Sequence, residues 1–563
     1  MIRTNVQKLF LILNDQTWRV ADEQSDCKLL VCRYQALPNH VTKDYLDSIG
    51  APYVYVCHKN DDVEICYINA GIIRPVQIFY KIEDGAAYVS DDIKYLFKNA
   101  ELNASTLLEF LSFGFVLSDR TLIRNVHILQ AGEILEYKNR TLIIRDKYLY
   151  DTIPTREDDD KELMEKLWDV SKKVFKDVIK WTKGKTIVVP LSGGLDSRFV
   201  VSILKLFGAT NVVCINYGIK ANYETPTSKR VAEKLGYEWH YIDYSLKSQL
   251  KMFNSDDFIL YLKLTHGYHI APNIQEFLST SRFREICDRK DCVFIPGHTG
   301  DFISGGHISI DALISCNIDE IALAILKKHY LRCWSPPENI IKRIIRYLMN
   351  LSHEIGNSVG SYQLYEIFDW RERQSKFIVS AIRPYQFFGY QWLMPLWDKR
   401  FVDFWAQVPV RFKMFKSLYR KFLSSFVFGP LGVDFEYEGL RRIRETAGYD
   451  KNLIEYAVST SRLKFLLQTH ERRRHTYVNP TSIANPCGFD KTYPLFCQQV
   501  TKQFASVQNV IECIKQANAI RGYGANPNGY FADALATLML SDLQFNQKSF
   551  ISTITLSTKR QEE

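Results

Sequence analysis

Over residues 1 to about 150 the apolar positions fall in short, partly alternating runs, such as Tyr53-Val54-Tyr55-Val56-Cys57 and Gln77-Ile78-Phe79-Tyr80, separated by Asp, Asn and Gly. A period of two puts successive side chains on opposite faces of a strand, so this stretch is expected to be β-rich with a few helices. The rhythm changes after the acidic stretch Glu157 to Asp160, where Leu163, Leu167, Val170, Val174 and Val178 recur at helical spacing. Next come a β-branched run, Thr186 to Leu191, the polar turn Ser192-Gly193-Gly194, and a helical pattern from about Asp196 to Leu206. Val212 to Asn216 predicts a second strand, a helix then ends near Leu235 with Gly236 as its stop, and Trp239 to Asp243 and Cys292 to Ile295 predict two more strands. Strands alternating with helices argue for a parallel α/β sheet. Beyond residue 310 the pattern is mainly helical, and Phe531, Leu535, Leu538 and Leu540 fit one packed helix near the C-terminus. The expected organisation is a β-rich α+β domain over 1–155, an α/β parallel-sheet domain over 156–440 and a helical extension over 441–563.

Composition narrows this picture only a little. The 563 residues are 46% hydrophobic and 24% charged, ordinary for a globular chain. The formal charge of +9 comes from 72 basic residues interspersed with 63 acidic ones, which reads as a solvated surface. The densest basic cluster, Glu471 to His475 with Arg462 and Lys464, is expected to be an exposed helix face, so no nucleic-acid partner is expected. Twelve cysteines show no C-x-x-C pair and no zinc-site spacing, and are expected to be buried, reduced thiols. The run Leu9 to Leu13 is too short for a signal-peptide core, and no segment approaches the roughly 20 apolar residues of a membrane helix. A soluble cytoplasmic protein with no membrane partner is expected.

The sharpest chemical signal is Ser192-Gly193-Gly194-Leu195-Asp196-Ser197 between a strand and a helix. Two glycines let the backbone approach an anion, the helix start offers free N–H groups, and two hydroxyls add donors, a composition suited to phosphate. Asp196 suits such a loop if it coordinates a magnesium ion that bridges the phosphates. The bland alternative is a turn whose glycines only meet steric needs. The loop lacks the Gly-Lys-Ser/Thr ending of a Walker P-loop, so another phosphate-binding class is indicated.

Ser192 to Ser197 resembles the SGGxDS pyrophosphate loop of the PP-loop ATP pyrophosphatases. Pro296-Gly297-His298-Thr299-Gly300-Asp301-Phe302-Ile303-Ser304-Gly305-Gly306-His307 resembles, without a gap, the second loop SGEGADELFGGY of the asparagine synthetase family, with His298 in place of its glutamate. Met394 to Phe404 is similar to that family's VPFLDHRLVEF, with Pro409 in register, and Lys416-Ser417-Leu418-Tyr419-Arg420 resembles its K-x-x-x-R element. Arg373 and Ser375 resemble its DRMSM element. Upstream, Arg74-Pro75, Phe79-Tyr80, Tyr88 to Lys94 and Thr121 to Leu135 look like the late part of a class II glutaminase domain. That domain's nucleophile is an N-terminal cysteine, whereas this chain begins Met1-Ile2-Arg3 and its first cysteine is Cys27, so a glutaminase-like domain kept for structure or docking is expected. The likeness runs over roughly residues 70 to 425.

The resemblance implies an AMP-forming ligase that adenylates a carboxylate with ATP and passes the acyl group to ammonia or a primary amine. It implies that Leu191, Ser192, Gly193, Gly194, Asp196, Ser197 and Gly297 hold ATP, that Asp196 and Asp301 hold Mg2+, and that Lys416 and Arg420 neutralise charge on the phosphates. His298 has the intrinsic pKa of a base for an attacking ammonium group, or is an ordinary turn residue. Glu366, Asp369 and Glu372 lie in a segment that could bring a carboxylate near it, and spacing does not choose among them. The partners expected are a small carboxylate (an amino acid, a sugar acid or a peptide side chain) and an amine, with a separate donor protein for ammonia and a homo-oligomer left open. Three rival readings stand beside this one: a glutamine-hydrolysing asparagine synthetase, a PP-loop tRNA-modifying enzyme, and a non-catalytic scaffold that keeps the fold.

Overall fold

A computed structural model describes residues 1–97, 101–150, 159–220, 222, 224–287, 291–330, 336–355, 360–435, 487–489, 492–504, 511 and 527–543. The basic cluster around Arg472 to Arg474 lies outside these residues.

The N-terminal stretch folds as two packed sheets. Seven antiparallel strands lie in the order Ile2–Asn5, Thr141–Asp146, Glu133–Lys138, Asp62–Asn69, Tyr53–Lys59, Cys27–Cys32 and Trp18–Gln24. Four more, Lys8–Ile12, Ala86–Ser90, Phe79–Glu83 and His127–Ile128, form the second sheet. Their inward apolar residues, among them Val54, Ile68, Val89 and Ile128, are buried. The expectation of uniformly buried, reduced cysteines is corrected here. Cys27 and Cys57 stand opposite one another in register on neighbouring antiparallel strands, close enough for their sulfurs to bond, and they form a disulfide. Cys287 is half-buried and Cys316 exposed, because each follows or precedes a helix rather than facing the core. Cys333 and Cys513 lie outside the described residues.

The helix Asp160–Trp181 opens the second part, N-capped by the Asp159 side chain and burying Leu163, Leu167, Val174 and Val178. A five-stranded parallel sheet follows, in the order Glu238–Asp243, Val212–Gly218, Thr186–Pro190, Cys292–Phe294, Gln391–Trp392. Thr186–Pro190 is buried at every position, as a strand covered on both faces requires. The chain builds outward from this central strand through helices Leu195–Leu206 and Glu224–Leu235, then returns to its other side with Cys292–Phe294. The strand order therefore reverses between Thr186–Pro190 and Cys292–Phe294, which leaves a crevice beyond their carboxyl ends, where open α/β sheets place ligands.

The last strand, only two residues long, also touches the N-terminal sheets: Trp392 N–H donates to Tyr34 O at 2.9 Å, and Ala36 N–H to Trp392 O at 3.1 Å. The buried Trp370 indole donates to Ile72 O at 2.7 Å from the opposite direction. One apolar core thus runs through both parts. In the C-terminal region, helix Pro527–Ser541 buries Phe531, Leu535, Leu538 and Leu540, as the apolar spacing predicts, and stacks Phe531 on Tyr493 of helix Tyr493–Gln503. No helix among the described residues is long and apolar enough to cross a membrane.

Candidate active site

The turn after strand Thr186–Pro190 organises itself through its two serines. Ser192 N–H donates to Ser197 Oγ at 3.0 Å, the two hydroxyls lie 3.0 Å apart, and Gly194 N–H donates to Ser192 Oγ at 3.1 Å. Helix Leu195–Leu206 starts at Gly194 with no side-chain cap, so its first N–H groups are left for an outside acceptor. Arg198, buried beneath, donates to Gly193 O at 2.8 Å and to Phe435 O at 2.9 Å, tying the turn to the end of the following helical region.

The turn after Cys292–Phe294 closes directly against the first. A Cβ at 297 would collide with the backbone of Ser197, and a Cβ at 306 with the Lys416 side chain. Glycine at these two places is what allows the first turn, the second turn and the Lys416 segment to meet. Thr299, Phe415 and Lys416 all hold positive φ, at 82°, 54° and 58°. Non-glycine residues persist in that region only where their surroundings dictate it, and such strain clusters at functional sites. Lys416 pairs with the Asp301 carboxylate.

These elements enclose a cavity of about 410 Å³, lined by Ser192, Gly194, Asp196, Ser197, Gly297, His298, Asp301, Lys416 and Arg420 of the predicted residues. Leu191 and Gly193 do not line it. Leu191 O instead accepts from Asn216 Nδ2 at 2.9 Å and Ser228 Oγ at 2.7 Å, and so pins the start of the turn from behind. Asp196 is the most unusual of the group. Its Oδ1 is buried without a fully formed hydrogen bond among the described residues, and the Tyr419 hydroxyl lies beside the carboxylate. Burial pushes its carboxyl up, an effect that Lys416 offsets only in part. Burial likewise pushes the Lys416 ammonium down against the pull of Asp196.

Among the described residues no group of three or more His, Cys, Asp or Glu could hold a metal alone. The two carboxylates, Asp196 with a buried oxygen that lacks a fully formed hydrogen bond and Asp301 across the cavity, match what magnesium takes from proteins that also supply it with substrate phosphates and water.

None of the three candidate carboxylates of the segment Glu366 to Glu372 lines the cavity with His298. Glu366 is paired with Lys413 at 2.9 Å, Asp369 with His307 at 2.8 Å, and Glu372 with Lys376 at 2.5 Å, all inside the core. They belong to helix Ser361–Phe368 and the π-helical stretch Asp369–Ile378, which is tied to the N-terminal part where Trp370 donates to Ile72 O and Lys376 to Val116 O. Arg373 and Ser375 of that stretch do not line the cavity either; Ser375 Oγ donates to Trp370 O at 2.8 Å. The carboxylate that does approach is Glu276, whose Oε1 lies 3.6 Å from His298 Nε2. Sequence reasoning missed it, together with Tyr217, Glu224 and Gln275 on the same wall. Glu276 stands just before helix Phe277–Ile286, outside any recognised motif, and only the tertiary fold sets it against a residue 22 positions away.

The third predicted motif acts from outside the cavity. Asp398 caps helix Lys399–Ala406 and pairs with Arg400, which reaches Asp177 of helix Asp160–Trp181 at 2.9 Å, so this motif fixes the segment that leads to Lys416.

Residues 182–255 match the family model for asparagine synthase. A curated protein described as "Probable asparagine synthetase (glutamine-hydrolyzing)" from Acanthamoeba polyphaga mimivirus is 29% identical over 119 residues. That match spans 21% of this chain and 21% of the relative, so about a fifth of each protein is compared. Similar solved structures include the NMN synthetase of Francisella tularensis, at 13% identity and a TM-score of 0.20, covering 39% of this chain and 95% of that one. Another is the NH3-dependent NAD synthetase of Campylobacter jejuni subsp. jejuni, at 17% identity and a TM-score of 0.20, covering 38% and 93%. The likeness to the asparagine synthetase family is thus shown over the segment that carries the first loop.

Proposed function

We propose that this chain is an ATP-dependent ligase that adenylates a carboxylate and transfers the acyl group to ammonia or a primary amine, with AMP and pyrophosphate as products. The observation that carries the reading is the meeting of three separate chain segments, Ser192–Ser197, Gly297–Asp301 and Lys416–Arg420, around one cavity at the point where the strand order reverses. The free helix start and the paired serine hydroxyls suit a pyrophosphate, and Lys416 with Arg420 suit the negative charge that builds on it as the α-phosphorus is attacked. Asp196 and Asp301 would hold a magnesium ion, which supplies charge neutralisation to the phosphates. No covalent enzyme intermediate is required; positioning two anionic reactants against each other accounts for much of the acceleration. His298, on the cavity wall, would take a proton from the attacking nitrogen after the adenylate has formed.

The amine is read as coming from solution or from a separate donor protein, because the cysteines of the N-terminal sheets do not suit a glutaminase. Cys27 and Cys57 are joined to each other. Burial pushes the Cys32 thiol up and the Cys66 thiol up to about 12, which leaves almost no thiolate at neutral pH. The test is to incubate the protein with ATP, magnesium and hydroxylamine across a library of carboxylic acids. The reading expects a hydroxamate with stoichiometric AMP for at least one acid class. ADP as the nucleotide product, or no acid-dependent AMP at all, would contradict it.

A further inference from the structure

The wall facing the Asp196 turn is acidic, although the nucleotide proposed for the cavity is itself a polyanion. Glu276 is 1% exposed, and its Oε1 accepts a hydrogen bond from the Tyr217 hydroxyl. Its Oε2 is buried without a fully formed hydrogen bond among the described residues, and the Tyr385 hydroxyl lies beside the carboxylate. Among the described residues no lysine or arginine pairs with this carboxylate; His298 Nε2 stands 3.6 Å from its Oε1, and the His298 Nδ1 is also buried without a partner. Both side chains line the cavity. A buried carboxylate is stabilised by a cation and by filling its lone pairs; beside the Tyr217 and Tyr385 hydroxyls, the described residues give Glu276 no lysine or arginine. The missing group must be small, positively charged and rich in donors, and it must lie within reach of an imidazole.

We infer that Glu276 and His298 together seat the attacking nitrogen, and that the acyl acceptor enters this cavity as a primary ammonium ion. Glu276 Oε2 accepts from the ammonium and draws it out of water beside the acyl-adenylate. The ammonium then gives one proton to an imidazole nitrogen of His298. The lone pair this frees forms the C–N bond to the acyl carbon, the C–O bond to the phosphate breaks, and AMP leaves with that electron pair. The second proton lost from nitrogen passes to the departing phosphate or to water. The preference for a cation lies in the carboxylate: a neutral nucleophile gains nothing from Glu276, whereas an ammonium ion is concentrated there. This inference rests on the ligase reading and adds to it the charge state of the second substrate and the residue that recognises it.

The full-length protein is assayed with the carboxylic acid that supports pyrophosphate exchange. Two acceptors are compared at mildly alkaline pH: methylammonium, which is charged, and hydroxylamine, which is largely uncharged. Glu276→Gln is expected to lower methylamide formation relative to exchange by about 30-fold or more, mainly through KM for methylammonium, while hydroxamate formation falls by less than about threefold. Glu276→Asp keeps the charge and withdraws it by one methylene, so it should recover part of the methylammonium rate; it also serves if the glutamine variant fails to fold. Equal losses with both acceptors, or no loss with either, would overturn the inference, since a carboxylate that merely shapes the cavity does not discriminate by charge. A wild-type protein that shows no carboxylate-dependent exchange would remove the ligase reading instead, and this inference with it.

Discussion

Along Ser361–Ile378, buried carboxylates are matched by cations: Glu366 by Lys413, Asp369 by His307 and by Lys328 at 3.3 Å, Glu372 by Lys376. Lys376 also donates to Val116 O at 2.7 Å and Ser118 O at 2.9 Å, so its remaining protons are used as well. Around the cavity a short distance along the same chain, the matching is incomplete. Asp196 Oδ1, Glu276 Oε2 and His298 Nδ1 are all buried and all without a fully formed hydrogen bond among the described residues. Both regions carry the cost of burying charge: the carboxylates of the first each meet a cation, whereas at the cavity Asp301 meets Lys416 but Asp196 and Glu276 pair with no lysine or arginine among the described residues. Their acidities part in the same way. Burial works against the Asp369 charge, yet Lys328 and His307 overcome it and hold the carboxyl well below the usual range, whereas at Asp196 burial prevails and the carboxyl is pushed up. Carboxylates with a cation beside them need nothing further, and buried ones without it are candidates for a place that takes a ligand.

Substitutions can break this contrast from either side. Asp196→Asn and Asp301→Asn are each expected to lower magnesium-dependent turnover by about 10³-fold or more without loss of thermal stability, measured as AMP release and Tm. Turnover near wild type in either would end the metal assignment. His298→Ala is expected to retain pyrophosphate exchange while amide formation falls by about 10²- to 10⁴-fold. A parallel fall in both would make it an organiser of the nucleotide loop, and no change would make it an ordinary turn residue. On the completed side, Lys413→Ala should cost about 3–5 kcal/mol of unfolding free energy in urea, because it strands Glu366 in the core. A change within experimental error would show that this pair is not structural.

The pH dependence of stability sharpens the comparison. The folded pKa of Asp369 is depressed, so its contribution is complete above the unfolded carboxyl value and is lost as pH falls through the folded one. Asp369→Asn should therefore flatten the acid side of the Tm profile. The folded pKa of Asp196 is raised, so the protein loses stability as pH rises from the unfolded value through the raised one, and Asp196→Asn should remove that loss. Identical profiles in the two variants would erase the distinction. The smallest effect expected is none: purified protein should release no glutamate from glutamine above a heat-killed control, and release would require a cysteine nucleophile that the disulfide and the buried thiols do not suit.

Much of the central sheet was legible because its strands are apolar runs punctuated by glycine turns. Thr186 to Leu191, Val212 to Asn216 and Cys292 to Ile295 all fall on observed strands. The strand Gln391–Trp392 was not, since two residues carry no period and its place is set by backbone bonds to Phe294 and to Tyr34 and Ala36. The cavity's Gly, Ser, Asp and Lys residues were legible because they stand in short local motifs that resemble those of a known family. Glu276 was hidden because a single carboxylate before a helix has no local signature, and Glu366, Asp369 and Glu372 misled because chain spacing does not reveal that Lys413, His307 and Lys376 already engage them. The Cys27–Cys57 disulfide escaped for the same reason, being a matter of register between strands.

The most direct test of the account is the exchange of labelled pyrophosphate into ATP by wild-type protein and by Asp196→Asn, with and without each acid of the library. The account predicts exchange that requires both a carboxylic acid and magnesium, and that disappears in Asp196→Asn while the variant remains folded. Exchange that is independent of any acid, or that persists in Asp196→Asn, would contradict it.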